Sequence, residues 1–171
     1  MNHCIISNNC YGLNYYKSQS IPYNTPFVGL FMYADCYVKL LEHFDTYMNE
    51  ELTYCMISKY GKTDYPVGLL QDVEIHFLHY KTFQEALTKW NRRKTRMKPF
   101  SSCIIKMCDR DGFRQEHGTR FLNLPNKNKI LFVTEKNNNL YKDIKQVVLL
   151  PDNDCPTGTT LESRYPVLSI F

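Results

Sequence analysis

The stretch Cys103-Ile104-Ile105-Lys106-Met107-Cys108-Asp109-Arg110-Asp111-Gly112 decides the fold. It opens as a continuous run of strand length and passes at once into polar turn chemistry closed by glycine. Strands that face water on one side alternate apolar and polar residues, whereas a run without alternation belongs to a sheet covered on both faces. Two other segments share the design. Cys4-Ile5-Ile6 runs into Ser7-Asn8-Asn9-Cys10, and the strand-like Val73 to Tyr80 carries Glu74-Ile75-His76-Phe77-Leu78-His79. In open α/β sheets ligands collect outside the carboxyl ends of the strands, so these three polar blocks predict one composite site.

Outward from these blocks, strands and helices alternate. His3 to Ile6 reads as a strand, Leu13 to Pro26 as a long aromatic-rich loop, and Phe27 to Tyr33 as a run of strand length. Asp35 is placed to cap a helix carrying Tyr37, Leu40, Leu41, Phe44, Tyr47 and Met48 at helical spacing. Leu52 to Ser58 reads as a strand and Val67 to Leu70 as a connector. Thr82-Phe83-Gln84-Glu85 is a capping box that opens a helix with Phe83, Ala86, Leu87, Trp90 and Met97 on one face. Phe113 to Leu124 reads as a weaker helix interrupted by Gly118, and Lys129 to Thr134 and Gln146 to Leu150 as strands. The predicted fold is a three-layer α/β/α sandwich with a mostly parallel or mixed sheet. An α+β fold is the alternative if the segments near Leu52 and Val73, or Lys129 and Gln146, form hairpins. Residues 1–150 are expected to make one domain, and 151–171, rich in Pro, Asp, Asn, Gly and Thr, a loosely held tail.

With 171 residues, 43% of them hydrophobic and 22% charged, the chain is long enough for a core and too apolar for disorder. A net charge of +4 with pI near 8.6 falls below the range of a dedicated nucleic-acid binder, so nucleic acid is not the expected partner. The basic run Lys89, Arg92, Arg93, Lys94, Arg96 and Lys98 sits where cations offset a helix dipole. Seven cysteines, without a basic, apolar leader at Met1 to Cys10 and without Cys-x-x-Cys spacing, imply reduced thiols, a cytoplasmic setting and no structural zinc. No run is long enough to span a bilayer, which leaves peripheral association at an inner membrane as the only membrane contact expected.

Each polar block suggests chemistry. Strand alternation puts Glu74 beside His76, an arrangement that orients an imidazole for general-base work, whereas His79 lies on the opposite face as a core or edge position and as a candidate ligand contact. Asp109 and Asp111 at i, i+2 suit a hard cation such as Mg or Mn, while their bland reading is a turn with Asp111 as helix cap. Ser7, Asn8, Asn9, Cys10 and Tyr11 offer amides and N–H groups to a sugar or anion, with Cys10 or Ser7 as a conceivable nucleophile. Arg110 completes the candidate ligand contacts.

Taken together, these segments, with Tyr23-Asn24-Thr25-Pro26-Phe27-Val28-Gly29, Tyr65-Pro66-Val67-Gly68 and Lys89-Trp90-Asn91-Arg92-Arg93, resemble the bacterial domain of unknown function 1919 family, whose members are labelled exopolysaccharide biosynthesis proteins. Where that family has Trp-Gly-Gly after its first cysteine, this chain has Tyr11-Gly12-Leu13. The resemblance implies a capsule or exopolysaccharide pathway and a transferase of glycosyl or acyl groups, with an activated donor, a glycan acceptor and other pathway proteins as partners. In that scheme Asp109 and Asp111 hold a metal or donor hydroxyls, His76 oriented by Glu74 deprotonates the acceptor, and Tyr11, Tyr15, Tyr16 and Tyr23 stack on sugars. A noncatalytic polysaccharide-binding or assembly-partner protein is the alternative reading of the same blocks.

Overall fold

A computed structural model describes residues 2–171; Met1, the first residue of the expected domain, lies outside them. The elements run β1 (Ile5–Ser7), α1 (Leu13–Ser18), α2 (Ala34–Glu42), α3 (Phe44–Asn49), β2 (Thr53–Tyr54), β3 (Val67–Leu70) and β4 (Val73–His76). They continue as α4 (Phe83–Lys94), β5 (Ile104–Cys108), α5 (Gln115–Leu122), β6 (Lys129–Val133), β7 (Val147–Leu149), α6 (Gly158–Arg164) and α7 (Val167–Ile170). β1, β5, β6 and β7 pair in that order, every neighbour parallel, and β2, β3 and β4 form a separate antiparallel sheet.

The unbroken apolar strands are explained by two cores. Successive residues of β5 and β6 alternate faces. Ile6, Ile105, Met107, Leu131 and Val133 pack with Tyr37 and Leu41 of α2, Trp90 of α4 and Phe121 of α5. On the opposite face Ile5, Ile104, Cys108, Ile130 and Phe132 pack with Tyr15 and Tyr16 of α1, Leu161 of α6 and Val167 of α7. This is a three-layer α/β/α arrangement, with a small antiparallel sheet in the long excursion between β1 and β5. The strands near Leu52 and Val73 each pair antiparallel with β3 between them, but β6 and β7 run parallel, so the main sheet is of the α/β kind.

Several local expectations change. Val67–Leu70 is a strand, not a connector, and Phe27 to Tyr33 is not one: only Phe31 bridges to His76. The long loop contains α1. The helix expected from Asp35 onward starts at Ala34 without a side-chain cap and breaks at His43, where φ is −125° and ψ 41°. Asp35 bonds the Tyr60 hydroxyl instead. At α4 the capping side chain is present, Thr82 accepting from the Glu85 N–H at 3.2 Å. Its basic end is engaged: Arg93 donates to the Tyr80 hydroxyl at 2.6 Å, Lys94 to the Glu50 carbonyl at 3.3 Å, and Lys89 pairs with Glu85 at 2.6 Å. Among the described residues no helix is long and apolar enough to cross a membrane.

The expected loose tail is also corrected. Leu161 and Val167 are fully buried, and Glu162, 3% exposed, accepts N–H bonds from Gly12 at 3.0 Å, Asn14 at 2.9 Å and Tyr15 at 2.6 Å. Those are the donors a helix leaves free at its first turn, so a carboxylate from the far end of the chain caps α1. A polar composition hid this anchor.

Gly118 does not interrupt α5. It lies inside the helix because a Cβ there would meet the Tyr141 hydroxyl at 2.2 Å and its Cζ at 2.8 Å. Helix propensity alone makes Gly118→Ala stabilising by about 1 kcal/mol, whereas overpacking makes it destabilising by about 1–3 kcal/mol. We expect the second outcome, read as a lower urea midpoint at unchanged m-value; a gain in stability would show that Tyr141 yields.

Candidate active site

The site begins with Lys106, a charged residue inside an apolar strand. Its spacing from Ile104 and Cys108 turns it to the α1 and α6 side of the sheet, where it is fully buried. A buried ammonium costs several kcal/mol unless its donors are satisfied. Lys106 Nζ donates to Asn9 Oδ1 at 2.9 Å, Asn8 Oδ1 at 3.2 Å and Cys108 Sγ at 3.1 Å, and lies 5.5 Å from the centre of the Tyr11 ring. The amide nitrogens of Asn9 and Asn8 also approach Cys108 Sγ, at 3.1 and 3.6 Å. Burial alone would push the Cys108 thiol up; hydrogen bonding from Cys155, the Lys106 charge and the Asn8 amide outweigh it and hold the group well below the usual thiol range. The result is a buried polar cluster in which Lys106 and Cys108 of β5 are tied to the Asn8 and Asn9 amides that follow β1.

Above this floor opens a pocket of about 660 Å³, inside the roughly 300–1,000 Å³ range of small-molecule sites. Asn9 and Cys10 from the first polar block, Leu78 and His79 from the second, and Arg110 and Asp111 from the third all line it, with Leu13, Phe31 and Thr157 to Thr159. The carboxyl ends of β1 and β5 thus contribute to one site. Asp111 holds a left-handed conformation, φ 53°, which Asp tolerates, and its carbonyl accepts the Ala34 N–H that starts α2 at 2.9 Å. Burial, then the Cys108 group, push the Asp111 carboxyl up to about 6, against Arg110 and Lys106, which lower it. Arg110 gives one donor to the Cys155 carbonyl at 2.8 Å. Burial raises the Cys10 thiol, against the Lys106 charge, which lowers it.

Other sequence candidates take structural positions. Ser7 and Asn8 are fully buried, Ser7 closing a turn with the Asn9 N–H at 3.2 Å. Tyr11, 2% exposed, donates to the Tyr165 carbonyl at 2.8 Å, and Tyr15 and Tyr16 belong to the second core, so these rings do not offer sugar-stacking faces. Asp109 Oδ2 accepts the Thr134 N–H at 2.8 Å, its hydroxyl at 2.7 Å and the Asn137 amide at 2.8 Å, locking the end of β5 to the end of β6. Of the Asp109–Asp111 pair, Asp109 is saturated on that oxygen while its buried Oδ1 has no hydrogen-bond partner, and among the described residues no group of three or more His, Cys, Asp or Glu is placed to hold a metal ion.

Glu74 and His76 do meet, Oε2 to Nε2 at 3.3 Å, but off the angle of a hydrogen bond. The carboxylate accepts from Ser58 Oγ at 2.6 Å and the Lys59 N–H at 2.9 Å. His76 is 1% exposed, with Phe31 stacked on it at 4.9 Å and Tyr33, Tyr60 and Tyr65 around it. Burial lowers its proton affinity, against Glu74, which raises it. Phe31, bridged to His76 through the backbone and stacked on its ring, lines the pocket, whereas His76 does not. Lys106 and Cys108 went unnoticed in the sequence; the signal was a lysine within an otherwise apolar strand.

Fold and site define a three-layer α/β domain with a ligand-sized pocket at the carboxyl edge of a parallel sheet. The family model described as Domain of unknown function (DUF1919) matches residues 1–157, and the chain belongs to that family. It is 40% identical over 128 residues to an uncharacterized protein of Haemophilus influenzae, a match covering 75% of this chain and 60% of that relative. The chain thus spans 60% of the relative's length.

Two outcomes are expected. Lys106→Met strands two amide oxygens and the Cys108 sulfur, and should lower the unfolding free energy by about 3–5 kcal/mol; adding Cys108→Ala should restore part of the loss, whereas strict additivity in the double-mutant cycle would mean the two residues are uncoupled. For Asp111 the folded pKa of about 6 lies above the usual 3.8, so its stabilising contribution is complete below pH 3.8 and lost as pH rises through 6. Asp111→Asn, which keeps the left-handed turn, should therefore stabilise the protein at pH 7.5 by no more than about 3 kcal/mol and leave it unchanged near pH 3.5.

Proposed function

We propose that this protein is a transferase that passes an acyl group from an activated thioester to a hydroxyl of a glycan acceptor, with Asp111 as general base. The observation that carries the reading is the convergence of Asp111, Arg110, His79 and Cys10 on one pocket at the carboxyl edge of the parallel sheet. A carboxylate with a pKa near 6 matches the demand on a base at neutral pH. Apolar walls from Leu13, Phe31 and Leu78 suit an acyl group, and the Arg110 donors not used by Cys155 suit an anionic part of the donor. The acceptor proton passes to Asp111, the acceptor oxygen bonds to the acyl carbon, and the carbon–sulfur bond breaks with the sulfur leaving as thiolate. No step requires Asp109, whose role is to hold β5 against β6. A place in polysaccharide assembly, and a glycosyl in place of the acyl donor, belong to the same proposal in its wider form.

The test is a thermal-shift screen with acyl-CoA thioesters, nucleotide sugars and free nucleotides, each with and without magnesium or manganese, because a ligand that binds only the native state raises the melting temperature. A metal-independent shift with a thioester supports acyl transfer. A shift with a nucleotide sugar that needs metal replaces it with glycosyl transfer, and no shift with any donor favours a noncatalytic binding protein. With the thioester that binds, turnover should rise with pH to a plateau above about 6, and Asp111→Asn should cost about 100-fold or more in kcat while the melting-temperature shift persists.

A further inference from the structure

One wall of the pocket comes from the last part of the chain. Thr157, Gly158 and Thr159 line it together with Cys10, Phe31 and Asp111. The wall is fixed at both ends. Gly158 lies so close to the turn after β1 that a Cβ would sit 2.4 Å from Asn9 Oδ1 and 2.5 Å from the Tyr11 backbone nitrogen. Beyond it Glu162 accepts the three N–H bonds of the α1 start, and ahead of it the Cys155 carbonyl accepts from Arg110. The wall is therefore clamped to the same turn that forms the pocket floor, and a bulky ligand cannot displace it without breaking charge-assisted hydrogen bonds.

A wall clamped to the turn that forms the floor sets the size and shape of the space above Cys10 and Asp111. We propose that the segment from Thr157 to Glu162 is the specificity-determining element of this pocket, a rigid filter that admits small groups to the space above Cys10 and Asp111 and rejects long ones. Only the nature of the admitted group, a short acyl chain, rests on the acyl-transfer reading.

Cys10 reports on the filter directly, being the partly exposed cysteine beside six buried ones. Its labelling by iodoacetamide and by N-pyrenylmaleimide is followed by peptide mass spectrometry, each rate normalised to glutathione, in the wild type, Gly158→Ala and Glu162→Gln. Access and thiolate fraction govern such rates, so in the wild type the small reagent should lead by about tenfold, and in both variants the bulky one should accelerate by about tenfold. Glu162→Gln keeps the side-chain size and serves if Gly158→Ala does not fold. Equal normalised rates in the wild type, no acceleration in the folded variants, or no labelling of Cys10 in any of the three proteins would overturn the filter. In parallel, acetyl-CoA should raise the wild-type melting temperature and dodecanoyl-CoA should do so only in the variants. Size-selective labelling without any acyl-CoA shift would leave the filter standing and remove the acyl reading; acyl-CoA shifts with unselective labelling would do the reverse.

Discussion

The ammonium of Lys106 has no access to water, and the carboxyl end of the sheet is organised around satisfying it. Its partners come from two strand ends: the Asn8 and Asn9 amides follow β1, and Cys108 closes β5. A cation in that position makes the packing of β1 against β5 more than apolar contact, because any slippage of register would leave a desolvated charge alone. It also fixes the turn at Asn9 and Cys10, which is the pocket floor. The Cys108 group beside Lys106 adds to burial in raising the proton affinity of Asp111, so the electrostatics of that carboxyl and the packing of the sheet are linked.

Four acidic residues near this end of the molecule show how hydrogen bonding separates roles that residue type leaves equal. Asp109 is committed to Thr134 and Asn137, Glu162 to the start of α1, and Glu74 to Ser58 and Lys59. Each holds two segments together that are distant in sequence. Asp111 is half-buried, lines the pocket and is raised in pKa, which is the condition of a carboxyl available to a ligand.

Legibility followed range. The Thr82 cap of α4 and the continuous apolar strands β5 and β6 were readable because their causes are local, a side-chain cap and burial on both faces, although Glu85 accepts from the Lys81 N–H and does not close the box on Thr82. The long helix after Asp35 was readable as an apolar stripe but not as two pieces, since the break at His43 has no Pro or Gly to announce it. The polar blocks were readable as a site because turn chemistry follows strands, but their members were not ranked. Asn9, Cys10, His79, Arg110 and Asp111 line the pocket, while Ser7, Asn8, Tyr11, Glu74, His76 and Asp109 are engaged elsewhere.

By itself the sequence determined the layered α/β class, the order of most elements and the clustering of polar residues at strand ends, because periodicity and turn propensity act within a few residues. Only the tertiary structure decided that Phe31 stacks on His76, that Lys106 and Cys108 pair beneath the pocket, and that Glu162 returns across the chain to cap α1. Those outcomes depend on which groups meet after burial, where an unpaired charge or donor costs more than any local preference, and that is not written in sequence spacing.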